Sequence, residues 1–193
     1  TGRTGNSSGQ KQRQTEELIV EHGRVAGAIV EKDGRRLIIR TRCGVVLACG
    51  GFPQDLARRK SLFPHAPNGT EHLSPAPAEN TGDGLSLATA AGGRIQDDVP
   101  NAAAWIPVSR VPYRDGTYGV FPHLIDRYKP GIIAVTRHGL RFTNESNSYH
   151  DVAQAMIAAC RGEPETAAWL ITDHRAIGRY GLGFAKPFPL PLT

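Results

Sequence analysis

The chain has 193 residues, a formal net charge of +5, 39% apolar residues and 21% charged residues. This composition excludes a disordered chain, and no apolar run approaches the roughly 20 residues that span a bilayer. The 22 glycines and 14 prolines follow no period, which excludes collagen-like and repeat architectures and predicts many turns. Because the basic residues are scattered, nucleic-acid binding is not expected.

The cysteines and histidines lack the spacing of metal ligands. The three cysteines, Cys43, Cys49 and Cys160, form no CxxC pair, and the seven histidines form no HExxH motif. No metal site is therefore expected. An odd, scattered set of cysteines favours a reducing, cytoplasmic compartment.

The first 60 residues predict an arm followed by a small sheet. Residues 1–15 are polar and predict a flexible arm or the stub of a longer chain. From Glu16, apolar segments alternate with turns at His22-Gly23 and Asp33-Gly34, which predicts an antiparallel meander of strands.

Two glycine-containing segments follow. Val45–Ala48 is apolar on both faces, as in a buried strand of a mostly parallel sheet. It is followed by Gly50 and Gly51, which allow a ligand to approach the backbone closely, although an ordinary tight turn explains the pair equally well. Asn80–Gly84 then introduces a helix over residues 85–91.

Residues at both ends of this predicted helix mark its limits. Thr81 or Asp83 is expected to cap its N-terminus, and Gly92 or Gly93 to end it. The glycines beside the N-terminus leave backbone amide groups free to face a ligand.

The second half of the chain predicts mixed structure. Residues 95–128 are expected to be loop. Ile132–Val135 predicts a strand, and after a turn at His138-Gly139 a second strand is expected at Leu140–Phe142. A helix with apolar residues at helical spacing follows Asn144–Asp151.

The chain ends in a further strand and a short helix. Trp169–Thr172 predicts the strand, and Asp173 is expected to cap the helix that follows it. Residues 184–193 are rich in proline and are expected to be extended.

Three segments together resemble one enzyme superfamily. Val45–Phe52 resembles the VVLATGGF segment of the FAD-dependent fumarate reductase/succinate dehydrogenase flavoproteins, which include the 3-ketosteroid dehydrogenases. Asn80–Leu85 is similar to their TGDG helix, and Gly139–Glu145 to their G-x-RF-x-NE element. The three segments occur in the family order, and the resemblance extends over about residues 16–191.

The resemblance implies an α+β chain that combines a capping domain with a β-rich piece of a Rossmann-like FAD-binding domain. Residues 16–60 would belong to the FAD-binding domain, residues 61–79 would connect, and residues 80–193 would form the capping or substrate domain, incomplete at its C-terminus. The family's N-terminal GxGxxG unit and its C-terminal return to the flavin domain are not found. We therefore expect an internal fragment whose partners include those missing parts.

FAD is the implied cofactor. The family's TGDG aspartate contacts FAD, which assigns Asp83 to the cofactor. Ala48, Cys49, Gly50 and Gly51 carry over as backbone on the flavin side. Because the missing GxGxxG unit would hold the FAD pyrophosphate, this chain by itself is expected to bind FAD weakly or not at all.

The expected substrate is small and hydrophobic. The dicarboxylate enzymes of the superfamily have a substrate-binding histidine where this chain has Ala104–Val108, and an arginine proton donor where it has Tyr149. A dianion needs cationic partners, and both are absent. Trp105 would contact the flat substrate, although a loop tryptophan equally well packs in a core.

Tyr149 is similar to the tyrosine that 3-ketosteroid Δ1-dehydrogenases use at this position. The implied reaction dehydrogenates a carbon–carbon bond beside a ketone, with the hydride passing to flavin N5 and the α-proton to Tyr149. A phenol has a reference pKa of about 10, so the phenolate needs a helper that the sequence does not reveal. Alternatively, Tyr149 packs on Trp105 or Phe142 at the start of its helix.

The remaining motif residues are expected to be structural. Asn144 and Glu145 would anchor the helix that follows them, and Arg141 would pair with an acidic residue.

Two other functions remain open. One is a fumarate reductase/succinate dehydrogenase-like flavoprotein that binds carboxylates with different residues. The other is a non-catalytic binding module that keeps the cap fold without a flavin domain.

Overall fold

The structure, a computed structural model, describes residues 14–96 and 98–190. These residues form seven strands in three antiparallel sheets, four α-helices and one 3₁₀ turn. The predicted mixture of helices and strands is confirmed. The described residues belong to two compact units, Thr1–Phe52 with Asn80–Asp97 and Pro53–Glu79 with Asp98–Thr193. This grouping differs from the predicted domain boundaries, because residues 80–96 join the first unit.

The predicted meander forms the sheet of the first unit. Its strands are β1 (Gln14–Glu21), β2 (Arg24–Lys32) and β3 (Arg35–Arg40), in the order β1-β2-β3. At both turns the first residue, His22 or Asp33, has a positive φ, and the glycine after it does too, as two-residue hairpin turns require. The predicted arm, apart from its last two residues, lies outside the described residues.

The predicted buried strand at Val45–Ala48 is wrong. Within the described residues no strand pairs with this segment, and Val46 is 90% exposed. A strand forms only where a neighbour satisfies its backbone N–H and C=O groups, and β3 pairs with β2 alone.

The helix α2 (Asp83–Ala90) confirms the predicted TGDG helix and packs against β1. The predicted side-chain cap is wrong, because Gly82 is the N-cap residue at φ +88° and makes no side-chain cap. The Thr81 hydroxyl instead donates to Asp83 Oδ1 (3.0 Å). The predicted C-terminal end of this helix is confirmed, because Gly92 follows the C-cap residue Ala91 and adopts φ +88°.

The second unit begins with α1 (Leu56–Leu62), which the sequence reasoning did not predict. Asp55 caps it by accepting the Arg58 N–H (3.0 Å). Arg59 is buried in this segment and donates to the carbonyl oxygens of Pro53, Gly69 and His72. It thereby ties the irregular residues after α1 to the helix.

The expected loop at residues 95–128 is wrong in part. It contains an antiparallel hairpin of β4 (Val108–Pro112) and β5 (Tyr118–Pro122), followed by a 3₁₀ turn at Asp126–Tyr128. Asp115-Gly116 between the strands was an available hairpin signal.

The strand β6 (Ile132–Val135) is confirmed, but its main partner is β7 (Trp169–Thr172). The predicted return at Leu140–Phe142 contributes only an isolated bridge between Val135 and Arg141. The tight turn at Gly139 brings that segment back beside β6 without forming a strand.

Two helices complete the second unit. The predicted helix after the Asn-Glu motif is α3 (Tyr149–Ala159), which buries Val152 and Ala153. The helix α4 (His174–Tyr180) is capped, as predicted, by Asp173, which accepts the Ala176 N–H (2.7 Å).

Candidate functional site

The two glycine-containing segments of the first unit lie against each other. The Gly82 N–H donates to the carbonyl oxygen of Gly51 (3.1 Å). A side chain at Gly50 would lie 2.9 Å from Asn80 Oδ1. Gly50 also adopts φ +78°, so both its contact and its backbone conformation favour glycine.

These segments expose backbone and a carboxylate at one place. Ala48, Cys49 and Asp83 are exposed, and a side chain at Gly84 would lie 2.8 Å from Cys49 Sγ. The carboxylate of Asp83 can accept a hydrogen bond from a hydroxyl or N–H group. A close-packed, side-chain-poor backbone beside such an acceptor fits one edge of a flavin nucleotide.

The second unit contains a cavity of about 720 Å³. Small-molecule sites commonly occupy about 300–1,000 Å³. Several of its wall residues are apolar: Trp105, Val111, Phe121, Met156, Leu170 and Phe184. Polar groups also reach the wall, so the cavity can hold an apolar molecule that carries a few polar atoms.

Trp105 is a buried residue of the second unit that also lines the cavity. It is 3% exposed, and its ring meets the rings of Phe63 and His65 edge to face, with centroids 4.7 and 5.0 Å apart. Its indole N–H donates to Asn101 Oδ1 (2.9 Å). It therefore packs in the core, and it also lines the cavity.

Sequence reasoning missed two histidines in the cavity wall. His65 Nε2 and His72 Nδ1 are 3.0 Å apart. Burial, together with the charges of His65 and Arg59, lowers the pKa of His72 to about 4, and burial lowers the pKa of His65. Because both rings are neutral at pH 7, they do not supply the positive charge that a dicarboxylate needs.

Tyr149 is the first residue of α3 and is 40% exposed. The structure does not place it in the wall of the cavity, and no described aromatic ring stacks on it. Its role as a base and its packing on Trp105 or Phe142 both stay predictions.

The chain around Tyr149 is held from three directions. Ser148 caps α3 by accepting the Asp151 N–H (3.1 Å). The backbone N–H of Trp105 donates to His150 Nδ1 (2.9 Å), and the buried Arg127 donates to the carbonyl oxygen of Asn147. These contacts fix the residues on either side of Tyr149.

The Asn-Glu motif supplies a further anchor. Glu145 is 5% exposed and accepts the backbone N–H of Ala134 on β6 (2.7 Å). Both of its oxygens also accept hydrogen bonds from the Arg141 guanidinium. The expected pairing of Arg141 with an acidic residue is confirmed, and Glu145 joins the motif to the sheet.

Residues 14–96 and 98–190 contain neither a metal site nor a membrane-spanning helix. Within these ranges no three His, Cys, Asp or Glu side chains gather closely enough to hold a metal ion. None of the helices there has the length and apolar character needed to cross a membrane.

Comparison with known proteins identifies the family. A family model described as "FAD binding domain" matches residues 7–185, so the chain belongs to this family. The flavoprotein identity inferred from the motifs is confirmed, and FAD is the family's cofactor.

Individual relatives are ring-ketone dehydrogenases by name. The chain is 43% identical over 173 residues to 4-oxocyclohex-2-ene-1-carboxylate 5-dehydrogenase of Sinomonas cyclohexanicum, covering 89% of this chain and 29% of the relative. It is 34% identical over 181 residues to 3-oxosteroid 1-dehydrogenase of Mycobacterium tuberculosis, covering 89% of this chain and 31% of the relative.

A solved structure shows the same backbone arrangement. The crystal structure of 3-ketosteroid Δ1-dehydrogenase from Sterolibacterium denitrificans, in complex with 1,4-androstadiene-3,17-dione, matches with a TM-score of 0.78 and 31% identity. The match covers 93% of this chain and 32% of that one. The chain thus spans about a third of the length of these relatives.

Proposed function

We propose that this chain carries flavin-facing backbone and the catalytic base of an FAD-dependent dehydrogenase that acts on a carbon–carbon bond beside a ring ketone. The carrying observation is the exposed Tyr149, held at the start of α3 directly after the Gly139–Glu145 motif. The names of the relatives support the substrate class, because both describe an oxo group on a six-membered or steroid ring.

Each part of the chain has a role in this proposal. Ala48, Cys49, Gly50, Gly51 and Asp83 contact the cofactor through backbone atoms and the carboxylate. FAD bound there supplies the hydride acceptor.

In the second unit, Tyr149 removes the acidic proton from the carbon next to the ketone, and the carbonyl group stabilises the charge that develops. The contacts of Ser148, His150 and Asn147 hold the backbone on either side of Tyr149, which limits the positions that its phenol can take. Residues 98–190 act as the capping or substrate domain, and Trp105 contributes apolar surface to the substrate side.

A cyclic ketone fits these residues better than a dicarboxylate. Trp105 and Phe121 make part of the cavity wall apolar, and burial keeps His65 and His72 neutral. The fumarate reductase-like alternative requires cationic partners; the two histidines do not provide them, so in this cavity it would depend on Arg110 and Arg127. The relatives' names favour the same choice.

The decisive experiment replaces Tyr149 with Phe in the full-length, flavin-loaded enzyme. We expect kcat to fall by about 10²–10⁴-fold, the usual contribution of a general acid or base, while flavin content stays unchanged. Tyr118→Phe is the matched control, because Tyr118 is also exposed but lies in the β4–β5 hairpin. An unchanged kcat in Tyr149→Phe removes this residue from the mechanism.

Substrate assays separate the three functions. Oxidation of a 3-ketosteroid or of 4-oxocyclohex-2-ene-1-carboxylate with a dye acceptor supports the proposal. Reduction of fumarate with a reduced dye, and no oxidation of ring ketones, supports the fumarate reductase-like enzyme. If the purified full-length protein carries no flavin and catalyses neither reaction, the non-catalytic binding module is favoured.

A further inference from the structure

The second unit contains a linear chain of three side chains that the dehydrogenase mechanism does not use. Ser109 lies on β4, His123 directly follows β5, and Asp126 begins the 3₁₀ turn. Ser109 Oγ is 2.6 Å from His123 Nε2, and His123 Nδ1 is 2.9 Å from Asp126 Oδ2. The hairpin and the turn after it therefore bring a hydroxyl, an imidazole and a carboxylate into line.

The chemistry of the three side chains determines which atom donates and which accepts in each hydrogen bond. An ionised carboxylate only accepts, so His123 must carry its proton on Nδ1 and donate it to Asp126. In the neutral ring, Nε2 is then a lone-pair acceptor that takes the hydroxyl hydrogen of Ser109. This is the tautomer that a histidine needs to act as a base toward a serine.

The histidine and the aspartate are buried, whereas the serine is exposed to solvent. His123 and Asp126 are each 6% exposed, whereas Ser109 is exposed. Asp126 Oδ2 also accepts the Gly183 N–H (2.8 Å), which holds the carboxylate in place. Ser109, His123 and Gly183 all line the cavity of about 720 Å³.

A buried cation lines the same cavity. Arg127 is 2% exposed, and its Nη atoms donate to the carbonyl oxygens of His123, Leu124 and Asn147. Its Nε is buried and has no hydrogen-bond partner within the described residues. A buried N–H without a partner is costly. The guanidinium also adds positive charge to this wall of the cavity.

We propose that Ser109, His123 and Asp126 form an acyl-transfer site that hydrolyses small hydrophobic carboxylic esters. Phe121 and Phe184 line the same cavity as Ser109 and His123, and their ring centroids are 5.4 Å apart. They supply the apolar surface for such an ester. Arg127 adds positive charge to the same cavity wall, which favours the negative charge that develops on the ester carbonyl oxygen.

The reaction needs only the ester and water. Ser109 Oγ bonds to the carbonyl carbon while its proton moves to His123 Nε2. The C–O bond to the alcohol then breaks, and His123 returns that proton to the departing alcohol oxygen. Water attacks the acyl-serine, gives a proton to His123, and the proton passes to Ser109 Oγ as the carboxylic acid leaves.

The test measures hydrolysis of 4-nitrophenyl butyrate by the full-length, flavin-loaded protein. We expect turnover above the buffer rate, a loss of at least about 10³-fold in Ser109→Ala, and a comparable loss in Asp126→Asn. Ser61→Ala is the matched control, because Ser61 is exposed and its hydroxyl donates to the carbonyl oxygen of Arg58, away from the cavity wall. This assay uses no flavin reduction, so its outcome is independent of the dehydrogenase assay.

A second measurement does not depend on the stability of the variants. A fluorophosphonate probe reacts with base-activated serines, and peptide mass spectrometry locates the adduct. Labelling of Ser109 in the unsubstituted protein supports the proposal. The absence of any adduct on Ser109, or ester hydrolysis that persists in folded Ser109→Ala, overturns it.

Discussion

Removing the carboxylate of Glu145 should loosen the second unit in a way that can be measured. In Glu145→Ala the backbone N–H of Ala134 loses its acceptor, and Ala134 is only 2% exposed. The Arg141 guanidinium loses its partner at the same time. Glu145→Gln keeps an acceptor oxygen for Ala134 but removes the negative charge.

The expected size of the effect follows from the buried amide. Leaving a buried donor without an acceptor costs about 1–3 kcal/mol, so the free energy of unfolding should fall by about that amount in Glu145→Ala. Glu145→Gln should lose less, because the bond to Ala134 survives. The exposed Glu165→Gln is the matched control and should change little.

The pH dependence gives an independent check. Burial raises the pKa of Glu145, but hydrogen bonds from Arg141 and Ala134 outweigh burial and hold that pKa below its usual value of 4.5. The carboxylate therefore stabilises the fold above pH 4.5, and the contribution is lost as the pH falls through the lowered pKa. In Glu145→Gln the free energy of unfolding should depend less on pH below about 4.5.

Urea unfolding of the full-length protein at pH 7 and pH 4 measures both effects. Hydrogen exchange of a peptide that spans Ile132–Val135 reports on the Ala134 amide itself. Equal stability of the unsubstituted protein and Glu145→Ala, with unchanged exchange at this peptide, would refute the assigned role of Glu145.

Two further predictions test the histidine pair and the glycine contact. Burial lowers the pKa of His72 to about 4, so the neutral ring contributes its full stabilisation above about pH 6.5, and the free energy of unfolding should fall as the pH decreases toward 4. In urea unfolding, His72→Gln should make the free energy of unfolding less dependent on pH in this range. The exposed His174→Gln is the control and should leave that dependence unchanged. Gly84→Ala places a side-chain carbon 2.8 Å from Cys49 Sγ and should lower flavin content in the purified full-length enzyme, whereas Gly178→Ala, which meets no atom within 4 Å, should retain it. Equal flavin content in the two glycine variants would contradict the proposed cofactor surface.

The sequence predicted those strands and helices whose limits depend on residues close together in the chain. The turns at His22-Gly23 and Asp33-Gly34 predict the meander because positive φ values at adjacent positions commit the chain to a hairpin. Asp173 predicts a helix start for the same kind of reason, since its carboxylate caps its own helix. The motifs around Gly51, Asp83 and Glu145 likewise indicated the family, because each is a continuous run of residues.

The tertiary structure decided what depends on distant partners. Val45–Ala48 has the apolar composition of a buried strand, but a strand requires a neighbour that composition does not name. Trp105 and His150 are 45 positions apart, yet their hydrogen bond fixes the residue beside Tyr149.

The alignment of Ser109, His123 and Asp126 likewise required the β4–β5 hairpin, which was expected to be loop. Residue types by themselves supplied a hydroxyl, an imidazole and a carboxylate. Only the register that pairs Ser109 with Phe121 places the serine near the end of β5, where His123 follows. Register is set by pairing between strands, and that pairing is a property of the folded hairpin.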